Sequence, residues 1–130
     1  MTTTLREQLT EAGFDWSPHA TIIVQRYRDP HAHSPSFYDG VFVEGHWYTL
    51  GWCHASDVEN VTIPHDHPIL DQPFDDGFGS PQMPRFWCKT PQYIYFPGTY
   101  DGSTWVSRVA LYPGMYLGKD AESLPYVGGG

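Results

Sequence analysis

Apolar residues in this chain fall in short runs rich in β-branched and aromatic side chains, and most runs end at a proline or a glycine. That pattern predicts strands between frequent turns. Thr21 to Tyr27 (TIIVQRY) reads as a strand by its β-branched content. Tyr38 to Val43 and His46 to Trp52 read as the two arms of a hairpin, joined at Glu44-Gly45 by the two-residue connection that tight turns favour. Val58 to Ile63 is a further short strand, closed by Pro64. Arg85 to Thr90, Tyr93 to Phe96 and Thr104 to Tyr112 complete the set, the last two separated by a turn-rich Pro-Gly-Thr-Tyr-Asp-Gly-Ser.

Only the N-terminal stretch departs from this pattern. Leu5, Leu9 and Ala12 recur at spacings of four and three, which places them on one face of a helix over Leu5 to Ala12. Thr4 and Glu7 form a capping box before it, and Gly13 supplies the stop. So short a helix needs packing to persist, and Phe14 and Trp16 are the residues to pin it. The fold class expected is mainly β within an α+β chain. It is a small antiparallel sheet, curled into a half-barrel or a sandwich, with one short N-terminal helix and a long ordered loop at 64–84. Residues 1–130 form one domain on this reading: helix at 5–12, β body at 20–112, loop-like tail at 113–130.

Composition sharpens the picture. Of the 130 residues 40% are apolar and 16% aromatic, so much of the core must come from Trp, Tyr and Phe, with several of their polar tips at the surface. Fifteen acids against seven bases give a net charge of −8. That balance argues against direct nucleic-acid binding and against an anionic membrane surface, and it favours a basic protein partner. No apolar run reaches the length of a membrane span, and MTTTLREQLTEAG has no signal-type apolar core. A cytoplasmic setting is expected, with Cys53 and Cys88 free and buried.

Chemistry-bearing side chains concentrate in Pro64 to Gly79 (PHDHPILDQPFDDGFG), where His65, Asp66, His67, Asp71, Asp75 and Asp76 stand with no Lys or Arg among them. Ile69, Leu70, Phe74 and Phe78 in the same stretch predict that it folds onto the body. His-x-His occurs twice, at His31/His33 and His65/His67. In an extended segment two such rings point to one side, and a carboxylate from Asp71, Asp75 or Asp76 would complete a two-His, one-carboxylate site for a divalent transition metal. A small metal-dependent hydrolase is the function that site would imply. No H-E-x-x-H or spaced cysteine pair accompanies it, so solvated loop side chains are the more economical reading. Asp-Gly pairs at Asp39, Asp76 and Asp101 read as turn chemistry. Adjacent strand residues face opposite ways, which separates Cys53 from His54, and neither a nucleophile elbow nor a phosphate-binding glycine loop is present.

Alternation puts Tyr93 and Tyr95 on one face of a strand, with Ile94 and Phe96 on the other. The function expected from these features is an interaction module. Asp71, Asp75, Asp76, Tyr93 and Tyr95 would contact a protein partner that is basic or binds nucleic acid, and no cofactor is needed. In profile the chain resembles small inhibitor proteins encoded by phages and mobile elements, anti-CRISPR proteins among them; the resemblance is one of type and carries no motif. A third reading is an assembly subunit that self-associates through an aromatic sheet face.

Overall fold

A computed structural model of the protein describes residues 2–31, 40–51, 56–77, 82–100 and 103–111. It is mainly β, with antiparallel sheets that do not close and one short α-helix, as the sequence predicts. β2 (Thr21–Tyr27) is the axis of the main sheet. β5 (Val58–Ile63) pairs with it from Ile22↔Ile63 to Tyr27↔Val58 and so takes one whole edge. The other edge is shared. β7 (Phe86–Lys89) pairs with Thr21 to Val24, and β4 (His46–Thr49) joins at Arg26↔Tyr48. The sheet therefore forks along β2. One arm carries β3 (Gly40–Val43) outside β4, and the other carries β8 (Tyr93–Tyr100) and β9 (Ser103–Ala110) beyond β7. The arms meet at a bridge between Leu50 and Pro84, where the Arg85 amide donates to the Thr49 carbonyl at 3.0 Å.

The alternation in β2 decides which face is core. Ile22 and Val24 are fully buried, whereas Thr21, Ile23 and Gln25 on the opposite face are half-exposed. Cross-strand partners share a face, so Ile63, Cys88, Phe86 and Tyr48 extend the buried side. The helix α1 (Leu5–Glu11) lays Leu5 and Leu9 onto that side, followed by Phe14. Each such side chain contributes roughly 1.5–3 kcal/mol on burial. Seven residues form no stable helix alone, so this packing is what sustains α1. Thr4 caps it by accepting the Glu7 amide at 3.1 Å. The Glu7 carboxylate, which a full capping box would turn back to Thr4, instead accepts the Thr3 hydroxyl at 3.4 Å. Ala12 is the last cap residue and Gly13 follows at φ +86°, the left-handed stop that glycine permits.

Three elements differ from expectation. The second hairpin arm ends as a strand at Thr49, residues 38–39 and 52 lie outside those described, and the turn is as read: Glu44 and Gly45 both have positive φ (46° and 85°), a type I′ signature. Pro97-Gly98 does not open a turn. β8 runs through it and stays in register with β9, with Pro97 opposite Val106 and Tyr100 opposite Ser103. Among the described residues β8 is paired on its β7 side at Ile94 and Tyr95 and not at Pro97, so the missing N–H there costs little. The long 64–84 loop is partly regular: a 3₁₀ turn spans Pro68–Asp71, and β6 (Phe74–Asp75) pairs with β1 (Thr2–Thr3). Ile69 and Leu70 of this segment are fully buried, and Phe74 is buried beside them.

Candidate functional site

The segment that begins at Pro64 holds the densest set of titratable groups, and its backbone determines where they point. The His67 amide donates to the Pro64 carbonyl at 3.1 Å, so the chain turns here and is not extended. His65 and His67 consequently diverge. The His65 ring donates from Nε2 to the Ala20 carbonyl at 2.9 Å and stands edge-on to Trp16 and Phe14, with centroids 5.8 Å and 6.4 Å away. His67 faces the other way. Its Nδ1 accepts the Ile69 amide at 3.0 Å, capping the 3₁₀ turn, and its Nε2 lies 3.1 Å from the Tyr48 hydroxyl. An amide can only donate, so Nδ1 carries no proton; in the neutral ring the proton sits on Nε2 and points at Tyr48.

Tyr48 is 1% exposed. Its cross-strand partner Arg26 pairs through Nε with Glu59 at 2.8 Å. The ion pair, the cross-strand pairing and the hydrogen bond thus set Glu59, Arg26, Tyr48 and His67 side by side across β5, β2, β4 and the 3₁₀ turn. Burial pushes the His67 pKa below its ordinary value; Glu44 and Asp66 oppose that shift, while Arg26 and His46 add to it.

The acids of the segment have individual partners. Asp71 takes a two-pronged ion pair from Arg6, Nε to Oδ1 at 2.7 Å and Nη2 to Oδ2 at 3.2 Å, which holds its carboxyl below the usual range. Arg6 also donates to the His65 carbonyl at 2.9 Å and lies over the Trp16 ring. A base absent from the local sequence is therefore supplied by α1. Asp75 accepts the Gly77 amide at 2.8 Å, which holds that carboxyl down as well. Asp76 is half-exposed and receives Gln8 Nε2 at 3.3 Å.

The proposed metal set does not assemble. His65 and His67 turn to opposite sides, Asp71 is engaged by Arg6, and Asp75 lies in β6. Among the described residues no group of three or more His, Cys, Asp or Glu side chains could hold a metal ion. His31 is exposed with its amide on Asp29 Oδ1, and His33 lies outside the described residues.

The aromatic surface also needs correction. Tyr93 and Tyr95 do share a face, but it is the core face. Tyr95 is 1% exposed, donates its hydroxyl to the Gly13 carbonyl at 3.3 Å, and meets Phe14 edge-on at 5.1 Å. It belongs to the interior and is closed to a partner. Tyr93 is half-buried beneath the Arg108 guanidinium, 4.1 Å above its ring. Among the described residues the large apolar side chains left in solvent are Phe42, 53% exposed and edge-on to Trp47, and Trp87, 41% exposed. Alternation within Trp47-Tyr48 and Trp87-Cys88 carried that information, but it needed to be known which neighbour was core. Cys88 is fully buried and free, and burial drives its thiol pKa far up, so it is no nucleophile. Cys53 and His54 lie outside the described residues.

The exposed charged residues of α1, the 64–77 segment and β6 are acidic. Glu7 and Glu11 of α1, Asp66 and Asp71 of the segment, and Asp75 of β6 all face solvent. α1 packs against the 3₁₀ turn, and β6 pairs with β1 just ahead of the helix, so these carboxylates ride on contiguous elements. Among the described residues no helix is long and apolar enough to cross a membrane. No protein-family model matches the chain, and comparison with curated proteins and with solved structures finds no significant match.

Proposed function

We propose that the protein is an interaction module whose acidic platform, built from α1, the 3₁₀ turn and β6, engages a basic protein surface. One observation carries this reading: Leu5, Leu9, Ile69, Leu70 and Phe74 are buried while Glu7, Glu11, Asp71 and Asp75 on the same elements, and Asp66 just ahead of the 3₁₀ turn, stay exposed. The carboxylates are thereby fixed on a packed backbone, and a preorganised surface loses less entropy on binding. A groove lined with Lys and Arg, as in a nucleic-acid-binding protein, is the complementary partner, with carboxylates standing where phosphates would lie. Occupying such a groove would make the protein an inhibitor of the kind mobile elements encode.

The test is a charge reversal. Glu7→Lys, Glu11→Lys and Asp66→Lys in one chain leave the Arg6–Asp71 pair and the core untouched. A partner captured from the native host by the unaltered protein is expected to bind the reversed variant at least tenfold more weakly, and to leave the unaltered protein as salt rises. Circular dichroism confirms that the variant is folded. A partner held equally by both proteins, at low and high salt alike, overturns the reading.

A further inference from the structure

The phase of the β2–β5 ladder determines which backbone groups of β5 face outward. The Arg28 amide donates to the Asp57 carbonyl at 3.1 Å, one step beyond the paired residues. Bonded pairs alternate along an antiparallel ladder, so Glu59, Val61 and Ile63 turn their amides and carbonyls toward β2. Val58, Asn60 and Thr62 turn theirs away, and among the described residues no strand pairs with that edge.

Open edges are ordinarily guarded by a lysine, a proline, a bulge or short length. β5 has none of these. It holds six consecutive pairs with β2 and contains neither Lys nor Pro. Its single charge, Glu59, is already matched by Arg26 at 2.8 Å. The outermost strands of the two arms differ: β3 has four residues among those described, and β9 carries Arg108.

We propose that this edge pairs with β5 of a second copy of the chain, antiparallel about a twofold axis through Asn60, joining two sheets into one. The outward groups set the register. Asn60 meets the partner's Asn60, and Val58 and Thr62 meet the partner's Thr62 and Val58, which gives three bonded pairs. Glu59 then lies opposite the partner's Val61, so no acid faces an acid despite the net charge of −8. A strand that is its own complement in length, bonding phase and charge specifies a second copy over an unrelated peptide. This interface is separate from the acidic platform and does not rest on it.

Asn60→Pro removes an outward N–H and no bond of the β2 ladder, so it is tolerated on this edge. The unaltered chain is expected to sediment at twice the monomer mass at micromolar concentration, and Asn60→Pro at the monomer mass with unchanged circular dichroism. Cysteine pairs test the register, and carry the test alone if the proline variant does not fold. Asn60→Cys should cross-link across the axis under mild oxidation. Thr62→Cys should not, because the partner's equivalent lies roughly 14 Å away along the paired strand. A monomeric unaltered chain, a dimer that persists in folded Asn60→Pro, or cross-linking at position 62 but not at 60 overturns the proposal.

Discussion

His67 ties the 3₁₀ turn to the sheet through both ring nitrogens, and its role depends on which of them is protonated. Acid places a proton on Nδ1, removes the acceptor for the Ile69 amide, and sets a positive charge near Arg26 and His46. Burial holds the folded pKa below the ordinary value of about 6.5, so at acid pH the unfolded chain binds the proton that the folded chain resists. The stabilisation is complete above the unfolded pKa and is lost as pH falls through the folded one. The thermal midpoint should therefore decline as pH drops below about 6.5. His67→Asn places an amide oxygen where Nδ1 stands, keeps the cap and cannot titrate, and should flatten that decline; the same slope in both proteins contradicts the assignment. His67→Ala loses the cap, at about 0.5–2 kcal/mol in urea unfolding. The density of ionisable groups in this segment was legible in the sequence. Their partners were not, because the hydrogen bond from His67 back to Pro64 breaks the extended geometry that puts alternate residues on one side. Arg6 was equally hidden, since its pairing with Asp71 spans 65 residues and exists only once α1 has docked.

At the scale of elements, legibility tracked the strength of local signals. β2 and β5 fall where the β-branched runs and Pro64 place them, and α1 ends one residue before the reading. β1 and β6 have two residues each, too few to show any period. β8 outran its reading because, among the described residues, its proline is not paired on the β7 side and so costs little, which no local pattern reveals. The β3–β4 turn yields a prediction. Glu44 sits at φ 46°, a left-handed position that suits Asn far better than Glu. Glu44→Asn should raise stability by roughly 0.5–1 kcal/mol in denaturant unfolding. It should also deepen the depression of the His67 pKa by removing a nearby negative charge. Gly45→Ala should cost about 1 kcal/mol from strain alone, because φ is +85° and no atom lies within 4 Å of the added methyl. An unchanged midpoint for both variants would contradict the turn assignment.

Across the whole molecule, the mainly β class and the acidic character followed from composition and turn spacing. Which sheet face is core did not, and that is why Tyr95 was expected outside: alternation pairs residues by face, but only the docked helix and the 64–77 segment decide which face is covered. The platform reading makes Arg6 informative, since it is the single basic residue on α1 and within 64–77. The Asp71 carboxylate in that pair is 57% exposed, so the ion pair contributes only about 0–1 kcal/mol. Arg6→Gln should lower the thermal midpoint modestly, since the bond to the His65 carbonyl and the contact with Trp16 go with the ion pair, while tightening a basic partner severalfold at low salt; weaker binding by the folded variant would contradict the platform.

An acidic platform can be preorganised only if the 64–77 segment is pinned to the body. Amide hydrogen exchange at pH 7 reads this directly through Ile69, Leu70 and Gln72, whose N–H groups are bonded to His67 Nδ1, the His67 carbonyl and the Ile69 carbonyl. Protection of Ile69 and Leu70 approaching that of Ile22 and Val24 in β2 is the predicted result. Exchange at the rate of an unstructured peptide would mean that the carboxylates ride on a loose loop, and would contradict the claim.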